Sequence, residues 1–310
     1  MGKIIRDGNI ISTYNYEKAV DQSNFITMIT RPANINIVVP EGVTKIGDYA
    51  FDQWRTLREV SLPNTLTNIS ESAFAHCDYL TFKGNALPES VNILGDSCFS
   101  ECTSLVLNKF PSRVTVIPNY CFYNCWNLTG YMDLSNVTKI GSWAFSSTKI
   151  SSVTLSEELL KLPSECFRST NLVTITIPSK ISEIPSSCFT GCNLLEQIFF
   201  KGDINTIKSS SFYGCTSLSQ FDLRNNTVVP TLSSVDSLKH ASGCKIVIPN
   251  SLYDTWTTAT NWSGLTDVQW IRAINSWDDT ITAEGDYVLM SDLDLTDIRH
   301  LTPSANVKGA

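Results

Sequence analysis

PSKISEIPSSCFTGC, residues 178–192, decides how the whole chain is read. Ile181 is followed three positions on by Ile184, five further on by Phe189, and then by Leu195. The spacing repeats in both directions. Upstream it appears as Val43-Ile46-Phe51-Leu57, Leu66-Ile69-Phe74-Leu80, Val91-Leu94-Phe99-Leu105 and Val114-Ile117-Phe122-Leu128. Val137-Ile140-Phe145-Ile150 and Leu159-Leu162-Phe167-Leu172 follow, and Ile204-Ile207-Phe212-Leu218 lies downstream. The Phe positions step by 23, 25, 23, 23, 22, 22 and 23 residues. A fixed period in this range is the mark of a solenoid.

Each unit has a physical reading. Leu57-Arg-Glu-Val60-Ser-Leu62 alternates as a short strand does, and Pro63 ends it because proline has no N–H for the ladder. Ile181 to Pro185 reads as a second short extended piece. The Ala/Cys-Phe-x-x-Cys stretch is expected to be one irregular or 3₁₀ corner. A unit this short cannot bury its own apolar side, so turns stacked about 4.8 Å apart would share one core with a Phe row along it. Eight such turns would span roughly 35–40 Å.

The pattern P-x-x-(V/I)-x-x-I-(G/P)-x-x-(A/C)-F-x-x-C-x-x-L resembles that of BspA-like leucine-rich repeats. The resemblance implies a β-rich, right-handed leucine-rich-repeat-like coil of about eight 22–25-residue turns with end caps. It covers residues 33–227. The units at Phe145 and Phe167 are one residue shorter at the corner. Thr81-Phe82-Lys83 and Val106-Leu107-Asn108 fit the strand pattern poorly, so an irregular path is expected there.

Composition narrows the function classes. Hydrophobic residues make up 42% of the 310, enough for a core, while charged residues are only 17%. The gap is filled by 37 Ser, 31 Thr and 23 Asn, the outside of a coil whose core needs few residue types. A net charge of −7 argues against a general nucleic-acid binder, which needs a basic surface. No apolar run approaches the ~20 residues of a membrane span. Residues 1–30 lack the continuous ~7–15-residue apolar stretch of a secretory signal. The chain therefore reads as made in a reducing cytosol, with export by a signal upstream of this sequence as the alternative.

Ten cysteines could mean disulfides, a metal cluster or packing. Comparing equivalent corners favours packing. The residue before Phe is Ala50, Ala73, Cys98, Cys121, Ala144, Cys166, Cys188 or Ser211. Three after Phe stand Trp54, Cys77, Cys102, Cys125, Thr148, Thr170, Cys192 and Cys215. Ligand chemistry would not tolerate such exchanges. The expectation is free, buried thiols and no metal or other cofactor.

Both ends depart from the repeat. Residues 1–32 read as an N-terminal cap or attachment segment, and Ala33 to Pro40 as the strand that opens the stack. Residues 228–274 read as a C-terminal cap. Within it, Asn250 or Ser251 would cap a helix from Leu252 to about Thr260, and Trp256, Trp262 and Trp270 would cover the core. That stretch resembles the terminal segment common after BspA-like repeats. Residues 275–310 read as an acidic tail or the start of a further region, with a strand near Tyr287–Met290. Asp292-x-Asp294-x-Thr296 has the oxygen spacing of a calcium loop but lacks its Gly and final Glu, which favours a solvated tail. The final ANVKGA looks like the start of more chain.

His76, His240 and His300 are widely separated, and no phosphate loop, nucleophile elbow or zinc helix motif is present. No catalytic residue is assigned, and the chain reads as a non-enzyme. Solenoids offer extended surfaces for large partners. By register the outward strand positions include Glu59 and Ser61, Ser152 and Thr154, and Thr174 and Thr176. The candidate contacts are Tyr131, Asp133, Gln197, Phe199, Lys201, Gln220, Asp222 and Arg224, centred on Phe199 between Lys201 and Arg224. Because BspA-like proteins are often adhesins, the resemblance implies attachment to a protein or surface glycan of a host cell or matrix. The repeats also occur in bacteriophage genomes. A virion surface protein, joined to other virion proteins through its N-terminal segment, would need no signal peptide. A bacterial or parasite cell-surface adhesin and a cytosolic interaction scaffold are the alternatives.

Overall fold

The computed structural model describes two strands, Gly2–Arg6 and Asn9–Tyr14, and residues 35–273. The expected strand near Tyr287, the acidic tail and His300 lie outside the described residues. The two N-terminal strands form an antiparallel hairpin, and the coil begins with Ile35–Val38, inside the expected opening segment.

The coil has three sides, and each has a cause in the repeat. The first is the front sheet, built by the alternating stretch after each Leu. Ile35–Val38, Leu57–Ser61 and Thr81–Phe82 pair in parallel. Thr129–Leu134 pairs with Lys149–Leu155. Thr174–Ile177, Gln197–Phe200, Gln220–Asp222, Cys244–Pro249 and Val268–Ala273 then form a continuous five-stranded parallel sheet. The coil thus has about ten turns, because the ladder runs on through three strands beyond the last Phe corner, at Phe212. The irregular path expected in the second and third units is present. Lys83–Asn85 is a 3₁₀ turn with Gly84 at φ 72°, and an isolated bridge from Ala86 to Lys109 replaces the strand pair.

The second side consists of two-residue strands such as Asn68–Ile69 and Glu183–Ile184, whose Ile points inward and whose polar residue points outward. Among the described residues it is interrupted twice, between Ile93–Leu94 and Val116–Ile117, which do not pair, and at Lys161-Leu162 in one of the short units.

The third side is the corner, which is more regular than the sequence suggested. Every corner places two residues in the left-handed region, one two positions before Phe and one two positions after. They run from Tyr49 (φ 57°) and Gln53 (φ 57°) to Ser210 (φ 60°) and Gly214 (φ 78°). This twist aims alternate N–H groups at the next turn. Phe51 N–H donates to Ala73 O at 2.7 Å, Phe99 N–H to Cys121 O at 3.0 Å and Phe189 N–H to Ser211 O at 2.8 Å. The corner is therefore a backbone ladder in its own right, and it keeps the Phe side chains in file. Phe51, Phe74, Phe99, Phe122, Phe145, Phe167, Phe189 and Phe212 stack nearly parallel, with centroids 4.8–5.9 Å apart. All are buried, and such offset stacking suits the ring quadrupole.

The thiols line the same corner. All ten cysteines are free and buried. At the position three after Phe, the sulfur also donates to the Phe carbonyl of the preceding turn: Cys77 to Phe51 O at 3.1 Å, Cys102 to Phe74 O at 3.0 Å, and Cys192 to Phe167 O at 3.0 Å. In the two short units Thr148 and Thr170 turn their hydroxyls to Phe145 O and Phe167 O of their own turn instead. Burial pushes the Cys192 thiol up to about 11 and Cys244 to about 12. It raises Cys102, Cys121, Cys125, Cys188 and Cys215 as well. These are protonated core groups.

At the C-terminal end the helix is shorter than expected. It runs Tyr253–Thr258 after a 3₁₀ turn at Asn250–Leu252. Neither Asn250 nor Ser251 caps it, because Pro249 and Leu252 take the positions before each helical piece. Trp256 and Trp262 are buried, with rings 5.5 Å apart, and Trp270 packs on Trp262 at 6.1 Å. The Trp262 indole N–H donates to Pro230 O at 2.7 Å, whereas the buried Trp256 Nε1 has no partner among the described residues.

Candidate binding faces

Of the residues that the sequence register selected, the front sheet presents Tyr131, Asp133, Gln197, Phe199, Lys201 and Gln220, in two separate groups. Tyr131 is 58% exposed. Its hydroxyl donates to Thr154 Oγ1 on the next turn at 3.0 Å, which lays the ring across the sheet. Asp133 is exposed and accepts the Ser135 N–H at 3.0 Å. The Ser135 hydroxyl and amide hold its carboxyl below the usual range, so it is an anion at neutral pH. The second group begins three strands later. Gln197 donates to Gln220 Oε1 at 3.4 Å. Phe199 is half-buried, and Lys201 is exposed and paired with Glu157 at 2.6 Å. Ser152, Thr154, Thr174 and Thr176 lie between the groups, where the front sheet is also broken.

One assignment is corrected. Asp222 does not face outward: it is 3% exposed, and Phe221 and Leu223 on either side are buried too. The strand Gln220–Asp222 is only three residues long, and the chain folds inward after it, which breaks the alternation. The carboxylate accepts Arg224 Nε at 2.9 Å on each oxygen, the Arg224 N–H at 3.1 Å and the Gln220 side-chain amide at 3.2 Å. Arg224 and Asp222 form a closed, mostly buried pair. This pair holds the end of the strand and offers no carboxylate to a partner.

A partly exposed aromatic cluster lies on the corner face, where sequence reasoning placed nothing. Tyr120 and Trp143, on consecutive turns, stack at 6.1 Å with planes 12° apart. Tyr123 stands edge-on to both, at 5.9 and 5.8 Å. The Arg168 guanidinium lies 5.7 Å from the Trp143 ring and is bridged to Glu165 at 3.0 Å. Comparing corners by column, as for the cysteines, exposes this signal. The residue two before Phe is Ser in four turns and aromatic in three.

Among the described residues no helix is long and apolar enough to cross a membrane. No group of three or more His, Cys, Asp or Glu among them is placed to hold a metal ion. His76 leans on Glu101 at 3.1 Å, and His240 packs edge-on against Tyr213 at 5.0 Å.

Stacked parallel strands, an inward Leu/Ile lattice and a repeated corner define a leucine-rich-repeat solenoid. The model of the BspA type leucine rich repeat region matches in 6 copies, over residues 31–148 and 115–233. The chain belongs to that family. Solved structures of the same kind include a leucine rich cell surface protein from Faecalibacterium prausnitzii, 19% identical, covering 77% of this chain and 88% of that one (TM-score 0.49). The Treponema pallidum leucine-rich repeat protein is 24% identical over 60% of this chain and 78% of that one (TM-score 0.41). The pneumococcal vaccine antigen PcpA is 16% identical over 73% and 75% (TM-score 0.44). No curated protein matches the chain in sequence.

Proposed function

We propose that this chain is a non-enzymatic binding module that attaches through its front sheet to a large partner, a protein or surface glycan of a host cell or matrix. One observation carries the reading. Inward positions repeat the same few residue types on every turn, while the outward front positions change from Tyr131 and Asp133, through Ser and Thr, to Gln197, Phe199 and Lys201. A surface that varies on a constant frame suits recognition, and an exposed aromatic pinned flat is the residue type that dominates interface energies.

The test is capture by cultured epithelial cells and by a reconstituted extracellular matrix. Tyr131→Ser and the pair Phe199→Ala with Lys201→Ala should each reduce capture several-fold. Arg224 is left intact because its removal would strand the buried Asp222. Capture unchanged by both variants would remove the front sheet from consideration.

Ten free core thiols favour a second, finer reading, a virion surface protein assembled inside its host and attached through its N-terminal segment. Portal, capsid or tail genes beside its own would support that reading, and a secretion or sortase locus would overturn it.

A further inference from the structure

The column two positions before each Phe requires a left-handed backbone, and Ser72, Ser97, Ser187 and Ser210 occupy it in four turns. Tyr120 and Trp143 put bulky rings there at φ 53° and 59°. Large side chains are uncommon in that region, and the core does not call for them, since serine serves the same place elsewhere. Tyr120 is nevertheless 41% exposed. The rings form a row along the coil axis: Arg168, then Trp143, then Tyr120, with Tyr123 bracing both rings. The row already holds one cation against an aromatic face.

The Tyr120 end of the row meets carboxylates. Asp96 and Glu101 belong to the preceding turn, and Glu71 to the turn before that. Each is held in place. Asp96 accepts the Asn119 N–H at 3.1 Å and its side-chain amide at 3.2 Å, Glu71 accepts the Tyr49 hydroxyl at 2.6 Å, and His76 lies against Glu101 at 3.1 Å. A carboxylate has about four acceptor sites, so each keeps room for a partner's donors.

We propose that this corner face docks an extended basic polypeptide segment of a partner protein. A Lys or Arg of the segment continues the cation–aromatic row beyond Tyr120, and its neighbours pair with Asp96, Glu101 and Glu71. Charge complementarity selects this occupant. An anionic chain is repelled, and a neutral sugar would leave the carboxylates beside Tyr120 without a charge partner. From Glu71 to Trp143 is three turn spacings, about 15 Å, which an extended segment of about four to five residues spans. The proposal concerns a different face from the front sheet and does not depend on it.

The test is fluorescence anisotropy at physiological salt with a labelled decapeptide of alternating Arg and Ser, and a counterpart with Glu in place of Arg. The parent should bind the basic peptide and ignore the acidic one. Tyr120→Ser with Trp143→Ser leaves net charge unchanged and restores the residue found at other corners, so it should fold with nearly the same Tm while binding weakens at least tenfold. Glu71→Gln with Asp96→Asn and Glu101→Gln should weaken binding comparably, and Tyr131→Ser on the front sheet should leave it unchanged. No binding by the parent, or full binding by the folded Tyr120→Ser/Trp143→Ser variant, would overturn the proposal. So would capture of a neutral oligosaccharide by this face with the peptide ignored.

Discussion

The front sheet is continuous from Thr174 to Ala273 and broken between Phe82 and Thr129, yet the corner runs through both regions without a gap. In the broken region Phe74 N–H still donates to Cys98 O at 2.9 Å and Phe99 N–H to Cys121 O at 3.0 Å, and the rings still stack at 5.9 and 5.6 Å. The corner sets the alignment of turns, and the front sheet can vary because alignment does not depend on it. A side released from that duty is free to diversify, and this is how the repeat makes room for recognition.

Alkali should erase the contrast, with the largest effect of all. Five core thiols lie in each half of the stack, Cys77 to Cys125 and Cys166 to Cys244. Burial raises the pKa of Cys102, Cys121, Cys125, Cys188, Cys192, Cys215 and Cys244 above the ordinary thiol value. Above about pH 9 the unfolded chain releases thiol protons that the folded chain keeps, so stability falls as pH rises. Each such thiol should cost about 1.4 kcal/mol for every pH unit beyond 9. Urea midpoints measured at pH 8 and pH 10 should drop steeply, and equal midpoints would show that the thiols ionise in place.

Next in size, Phe99→Ala in the broken region and Phe189→Ala in the continuous one should each cost about 3–5 kcal/mol. Their urea midpoints should agree closely. If Phe189→Ala were much the milder, the front sheet would be sharing the load. Arg224→Ala should cost about as much, roughly 3–5 kcal/mol, because it leaves the buried Asp222 carboxylate without its cation, with only the Gln220 amide and a backbone N–H to hold it. Lys201→Ala, which opens an exposed pair, should cost under about 1 kcal/mol; equal losses in thermal denaturation would refute the closed-pair account. Hydrogen exchange sharpens the comparison further. Amides of Val106 and Leu107 should exchange at least tenfold faster than those of Ile198 and Phe199, while Phe99 and Phe189 amides should be equally slow. Smallest of all, Trp256→Phe removes an indole N–H that has no partner among the described residues, and should change Tm by no more than a degree or two.

The repeat, the Phe row, the buried thiols and the irregular second and third units were all legible in the sequence, because period and residue size are carried by the residues themselves. Four features were not. The fate of Asp222 depended on a strand ending one residue early, which no alternation rule reveals. The helix start was misplaced because Pro249 and Leu252 took the positions where a polar cap was expected. The corner aromatics escape the sequence reading because it compares only the columns just before Phe and three after it, whereas the left-handed backbone two before Phe makes a bulky residue there exceptional. Comparing columns found the thiols' role but missed their second function, since a sulfur donating to the preceding turn's Phe carbonyl looks the same in sequence as one that merely fills space.

The corner ladder also gives the stack an arrow. Every corner N–H in it points toward the following turn, so each turn arrives offering acceptors to its predecessor. The last corner is met in kind: Phe212 and Gly214 donate to the carbonyls of Ser237, in the 3₁₀ turn Val235–Leu238, and of Lys239 just after it. A terminal piece that works at this end is chemically wrong for the other, where donors are required. Whole turns can therefore be spliced in or removed in mid-stack without altering either terminus, whereas the two termini can never trade places.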